Sequence, residues 1–244
     1  MTIPKIIHQT WKDQNIPSQF IPFVESWKSR HPGWQHILWT DRMNREFVAC
    51  YFPNFLSAYD SYPYNIQRAD AIRYLLLYKL GGVYVDLDVE CLQNVEPLIN
   101  GEASFYIAKE PAEHCAKYRK EMILCNGWMA SVAQHGFLRA VIDELLESSS
   151  LQETTQHNTL GDLVLNSTGP FMLTKIFQLM QDRTTLQLLD HKYVHPLSRD
   201  AAWQLYLSED ATEQKAALRS QGTYAIHYFW GTWAPAACRE IGSS

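Results

Sequence analysis

The chain has 244 residues and a formal net charge of −5 at neutral pH, a balance that argues against nucleic acid as a main partner. Its hydrophobic fraction of 46% and charged fraction of 19% are those of an ordinary globular protein, and the length fits one domain over residues 1–244. The five cysteines (Cys50, Cys91, Cys115, Cys125 and Cys238) are odd in number and form no C-x-x-C pair. This favours reduced thiols and a cytoplasmic setting over a disulfide framework or a zinc site. The N-terminus lacks the apolar core of a signal peptide, and no run of about 18 apolar residues predicts a transmembrane helix.

In chain order, residues 4–8 read as a short buried strand that opens the fold, with Trp11 just beyond it. Residues 19–30 read as a helix stopped by His31-Pro32-Gly33, and Trp34 to Trp39 as a second strand. Residues 44–59 are helical with a break near Pro53. Over 66–80 the spacing of Ile72, Leu75, Leu76 and Leu80 gives a helix with a core stripe, ended by Gly81-Gly82. A strand follows at once in Val83 to Glu90. Ser104 to Lys109 is the next strand, residues 112–122 are ambiguous, and Asn126 to Ala133 leads into a helix over 135–147. Residues 148–158 read as a loop, and Thr168-Gly169-Pro170 as a turn before a helix at 171–180. Leu186 to Leu189 and Tyr193 to His195 are strand candidates. The charged stretch 208–220 reads as a mobile surface segment, and Tyr224 to Tyr228 as a last strand. Alternation of strands and helices gives the α/β class with a mostly parallel sheet, in which ligands sit at the carboxyl ends of strands.

The decapeptide 81–90, GGVYVDLDVE, is the most informative segment. Side chains alternate along a strand, so Tyr84, Asp86, Asp88 and Glu90 share one face while Val83, Val85, Leu87 and Val89 share the other. Carboxylates this close repel, and burying them unpaired costs several kcal/mol. A hard cation such as Mg²⁺ or Mn²⁺ between them removes that cost; a solvated acidic edge strand is the bland alternative. The chain has no Walker P-loop, G-x-G-x-x-G, H-E-x-x-H or G-x-S-x-G pattern.

On the preceding helix Asp70 and Arg73 lie three apart and share a face, which by itself suggests a surface ion pair. The wider run Ala69-Asp70-Ala71-Ile72-Arg73-Tyr74, then Tyr78-Lys79-Leu80-Gly81-Gly82-Val83-Tyr84-Val85-Asp86-Leu87-Asp88, resembles the Och1-like glycosyltransferases with a DXD-containing sugar-binding region. That is glycosyltransferase family 32, akin to the glucosylating domains of clostridial toxins. Ile3 to Trp11 near the start, and Ala225-Ile226-His227 with Gly231-Thr232-Trp233 near the end, resemble the same family in the same order. Thr232 stands where the family often has Ser.

The resemblance implies a GT-A fold, with a Rossmann-like, mostly parallel central sheet flanked by helices. It implies a retaining, metal-dependent glycosyltransferase that uses Mn²⁺ (or Mg²⁺) and a nucleotide-sugar donor, a UDP-sugar by preference. Trp11 is expected to stack on the donor base, and Asp70 and Arg73 to hold the donor sugar and its phosphates. Asp86 is expected near the ribose and the metal, with Asp88 and His227 as metal ligands. A lone histidine is as often a core residue, so both readings of His227 stand. Asn126 is expected near donor sugar and acceptor, and Trp233 at the leaving phosphate. No protein nucleophile is nominated, Asp70 being the carboxylate to test. The acceptor would be a glycan or lipid-linked glycan in cell-surface polysaccharide assembly (capsule, O-antigen or lipopolysaccharide), with the protein cytoplasmic and peripheral at the inner face of the membrane. Alternatives are a toxin-like protein glycosyltransferase, a non-catalytic nucleotide-sugar or carbohydrate-binding protein and a nucleotidyltransferase, the last not needing the Asp70/Arg73 spacing.

Overall fold

The strands expected near the start form in order in a computed structural model, which describes residues 2–150 and 159–231. Among these residues the strands are β1 (Ile6–Thr10), β2 (Gln35–Trp39), β3 (Gly82–Val85), β4 (Val89–Cys91), β5 (Phe105–Lys109), β6 (Leu124–Ser131), β7 (Leu186–Leu189) and β8 (Ala225–His227). Six of them make one sheet in the order β2-β1-β3-β6-β5-β7. The β1/β2, β1/β3 and β5/β7 pairs are parallel, and β6 runs antiparallel to both of its neighbours. The class is therefore the expected α/β with a mostly parallel central sheet.

The helices before the acidic segment are α1 (Ile21–Arg30), α2 (Asp41–Tyr51), α3 (Leu56–Ser61) and α4 (Asn65–Leu80). Pro53 separates α2 from α3, as its missing N–H and fixed φ require. Gly81 and Gly82 close α4 at φ 65° and 100°. A Cβ on Gly82 would lie 2.6 Å from the Ile6 carbonyl oxygen, so only glycine lets the chain turn straight from α4 into β3 beside β1. His8 braces this corner: its Nε2 faces the Gly81 carbonyl at 2.9 Å, and its Nδ1 accepts from the Trp39 indole N–H at 3.1 Å.

Burial pushes the pKa of His8 from 6.5 down to about 4. The unfolded chain therefore binds a proton that the fold refuses over that window, and stability falls as pH drops from about 6.5 to about 4. The expected loss from this residue is about 3 kcal/mol. Urea midpoints of the native chain and His8→Gln should converge as pH falls through that window; a constant difference would contradict the assignment.

Alternation along β3 works as read. Val83 and Val85 pack with Trp27, Val89 and Trp128 on one side of the sheet, while Tyr84 packs with α4 on the other. The strand does not reach Glu90, however. It ends at Val85, residues 87 and 88 form a turn, and β4 joins β8 in a separate two-stranded antiparallel sheet. Glu90 thus leaves the acidic group and is engaged by Lys215 at 2.8 Å and the Tyr228 hydroxyl at 2.6 Å.

Other differences have local causes. β6 is buried at every residue; it has no alternation to reveal it, and its Asn126-Gly127 pair mimics a turn signal. Helices at Leu160–Ser167 and Arg199–Leu207 are additional. Each has a hydroxyl N-cap, Thr159 or Ser198, whose side chain accepts from a first-turn N–H. The stretch 208–220 forms a helix, Ala211–Ser220, and Tyr193 to His195 is a short helical turn and loop. Of the predicted loop 148–158, residues 151–158 lie outside the described residues, as does Trp233. Among the described residues no helix is long and apolar enough to cross a membrane.

Candidate functional site

The carboxyl ends of β1 and β3 lie side by side, which puts Trp11 and Asp86 at the same edge of the sheet. The β4/β8 ribbon then brings His227 opposite Val89, next to Asp88. Asp86, Asp88 and His227 come together so closely that one ligand atom of each lies within 4.8 Å of the others. His227 Nε2 is 3.3 Å from Asp88 Oδ1, and the Trp230 N–H donates to Asp88 Oδ2 at 2.8 Å.

Beneath the D-x-D turn lies a buried polar column. α4 is enclosed on most of its circumference, so Asp70 and Arg73 are only 3% and 4% exposed; they are no surface pair. Arg73 pairs with Asp70 at 2.9 Å and with Asp86 Oδ2 at 3.2 Å, and donates to the Asn126 carbonyl at 2.9 Å and the Ala69 carbonyl at 3.2 Å. Every guanidinium nitrogen thereby has a partner inside the fold. Asn126 Nδ2 donates to Asp70 Oδ1 at 3.0 Å, and the Thr168 hydroxyl to Asp70 Oδ2 at 3.0 Å. The Tyr84 hydroxyl donates to Asp86 Oδ1 at 2.8 Å.

Burial dominates the electrostatics. It pushes the Asp70 carboxyl up to about 6, against the opposing pull of Arg73 and Thr168. It also raises Asp86; Arg73 pulls the other way, and the neighbouring Asp88 charge adds to the rise. At Asp88 burial is outweighed by His227 and the Trp230 N–H, so its pKa lies below the usual carboxylate range. His227 is the reciprocal case: burial opposes its charge, and Asp88 more than restores it.

Two carboxylates and an imidazole are a donor set suited to Mn²⁺. Gly127 supplies a second sign of fit. A Cβ there would stand 2.7 Å from His227 Cε1 and 2.9 Å from Asp86 Oδ2, so glycine keeps the space between these two side chains open.

Trp11 is half-buried and meets Phe20 edge-on at 5.8 Å, and Phe20 meets Trp230 edge-on at 5.3 Å. The indole N–H groups of Trp11 and Trp230 are both buried without a hydrogen-bond partner. Buried polar groups are rarely left so, and both flank the acidic turn. The site residues that sequence reading missed are Tyr84, Gly127, Thr168 and Trp230. Gly127 and Trp230 carried a weak signal, as neighbours of Asn126 and His227.

Residues 17–105 match the family described as glycosyltransferase sugar-binding region containing DXD motif. The chain is 53% identical over 98 residues to inositol phosphoceramide mannosyltransferase 3 of Schizosaccharomyces pombe, covering 40% of this chain and 28% of the relative. It is 36% identical over 178 residues to inositol phosphoceramide mannosyltransferase 1 of the same organism, covering 72% of this chain and 51% of the relative. The chain thus spans about half the length of these relatives or less. In structure it is similar to the ligand-free glycosyltransferase domain of the YGT toxin, at a TM-score of 0.56 and 11% identity over 90% of this chain and 89% of that domain. The fold is the GT-A type. The gathered acids fall inside the matched segment, and the chain belongs to glycosyltransferase family 32, the family with a DXD-containing sugar-binding region.

Proposed function

We propose that this chain moves a mannosyl group from a nucleotide-sugar donor, with retention of configuration, to a hydroxyl of a glycan or an inositol-phosphate lipid headgroup. The observation that carries the reading is the convergence of Asp86, Asp88 and His227, three donor atoms within 4.8 Å, above a buried arginine. The curated relatives named above are mannosyltransferases acting on inositol phosphoceramide. Their names move the donor preference from a UDP-sugar towards GDP-mannose.

Asp86, Asp88 and His227 would hold a divalent cation, Mn²⁺ in first place. When bound, the cation supplies Lewis-acid stabilisation of the charge that develops on the leaving diphosphate. The chain's own residues set the stage for it. Arg73 and the Tyr84 hydroxyl grip Asp86 from behind, so its carboxylate cannot swing away. Asp70 fixes Arg73, and Thr168 and Asn126 fix Asp70. With both oxygens so engaged, Asp70 acts as a positioning residue rather than a nucleophile. The leaving phosphate is then the base that takes the acceptor proton. The unpartnered indole N–H groups of Trp11 and Trp230 support a base-binding wall at the same edge.

Trp233 belongs to the proposal as a phosphate contact on the resemblance alone. A cytoplasmic setting is proposed on the free thiols of Cys50, Cys91, Cys115 and Cys125, and peripheral membrane contact on the proposed lipid-headgroup acceptor.

A panel of nucleotide sugars, each with and without Mn²⁺, tests the reading. GDP-mannose should raise the melting temperature and be turned over only when Mn²⁺ is present. No Mn²⁺-dependent shift or turnover with GDP-mannose would overturn the mannosyl reading, and the same silence with UDP-galactose, UDP-glucose and a UDP-N-acetylhexosamine would overturn metal-dependent transfer altogether. In Gly127→Ala the added methyl group crowds His227 and Asp86. The Mn²⁺ concentration for half-maximal turnover should rise by about 10- to 100-fold, and an unchanged Mn²⁺ titration would remove Gly127 from the cation's cradle.

A further inference from the structure

Behind His227, on the side away from Asp88, the fold gathers a second set of donors. Cys125 on β6 is buried, and its Sγ lies 3.6 Å from His227 Nδ1. His195, in the loop after the helical turn His191–Tyr193, is fully buried, its ring centroid 5.4 Å from that of His227. One donor atom from each of Cys125, His195 and His227 lies within 4.8 Å of the others. Neither ring nitrogen of His195 has a hydrogen-bond partner. An imidazole buried this way gives up the hydrogen bonds that both nitrogens make in water. Nothing in the proposed transfer reaction uses it.

We propose that Cys125, His195 and His227 form a second metal site, selective for a soft ion such as Zn²⁺, and that zinc there switches off the D-x-D centre. One thiolate and two imidazoles are zinc donors, whereas the carboxylate pair in front of His227 suits a harder ion. Three protein ligands leave the fourth position to water. As zinc binds, the Cys125 thiol gives its proton to solvent, an imidazolium at His227 gives up the proton on Nδ1, and no redox change occurs.

The switch follows from the imidazole itself. Zinc on Nδ1 uses that nitrogen's lone pair, so the remaining proton sits on Nε2, the nitrogen 3.3 Å from Asp88. An Nε2–H donates to Asp88 and cannot ligate a cation between Asp86 and Asp88. A neutral His227 therefore serves one centre at a time. The zinc site rests on geometry alone; its inhibitory effect rests on the proposed function.

The test uses the full chain, stripped with a chelator and titrated with Co²⁺ and then Zn²⁺. The native chain should show a thiolate-to-cobalt charge-transfer band and bind one Zn²⁺. Cys125→Ser should lose the band, and His195→Gln should weaken zinc binding by at least about tenfold. Asp88→Asn should keep both. No band in the native chain, or a band that survives in Cys125→Ser, would overturn the site whether or not the protein transfers a sugar. A second arm follows Mn²⁺-dependent donor turnover: Zn²⁺ should inhibit the native chain and leave His195→Gln resistant. Equal inhibition of both would overturn the switch.

Discussion

Asp88→Asn is expected to lower Mn²⁺-dependent donor turnover by about 100- to 1,000-fold while leaving the fold intact. The magnitude is the several kcal/mol that a cation contributes to stabilising a leaving diphosphate, at about 1.4 kcal/mol per factor of ten. The fold survives because two effects oppose each other. The variant loses the pairing of Asp88 with His227, and it also loses the repulsion between Asp88 and Asp86. The amide oxygen can still accept from the Trp230 N–H. Turnover measured at saturating donor, with circular dichroism as the check on folding, reads both parts. Full activity in a folded Asp88→Asn protein would remove Asp88 from the cation site.

Arg73→Met is the change expected to cost the most stability. Arg73 is the shared partner of Asp70, which is buried, and of Asp86, whose side chain is 26% exposed. Removing it leaves two carboxylates facing one another without a counter-charge, and breaking a buried pair in this way costs about 3–5 kcal/mol. For a chain of this size that is roughly 6–20 °C of melting temperature. Asp70→Asn combined with Arg73→Met should lose less than the two single losses added together, because the double change also removes one of the stranded charges. Additive losses would show that the two residues act independently. Arg73→Lys is not a conservative rescue, since one ammonium cannot span Asp70, Asp86 and the Asn126 carbonyl at once.

Much of the architecture was legible because its signals were local. Gly81-Gly82 marks the end of α4, Pro53 the break between α2 and α3, and the valines at 83 and 85 the apolar side of β3. The family resemblance named the residues that gather at the site, but their arrangement needed three dimensions. The D-x-D pair looked like part of a strand because valines flank it on both sides; in the fold it is the turn where the chain leaves one sheet for another. The resemblance already set Asp70 and Arg73 apart from a surface pair, but their three-residue spacing says only that they share a helix face. It does not say that the sheet and the helices α2, α3, Gly136–Ser150 and Leu160–Ser167 enclose that helix. His195 gave no signal at all: it meets Cys125 and His227 only through the packing of segments far apart in sequence. The odd cysteine count and missing C-x-x-C bear on ligands close together in sequence, and a set gathered by the fold leaves no such spacing to read.

Calorimetric titration of the nucleoside diphosphate, with and without Mn²⁺, on the native chain and on Asp88→Asn puts the central claim to its most direct test. If Asp86, Asp88 and His227 hold a cation that meets the diphosphate, Mn²⁺ must tighten GDP or UDP binding, and the nucleotide must tighten Mn²⁺ binding by the same factor. The native chain should show that coupling and Asp88→Asn should lose it. Equal coupling in both proteins would place the cation, and with it the donor phosphates, somewhere other than the D-x-D turn.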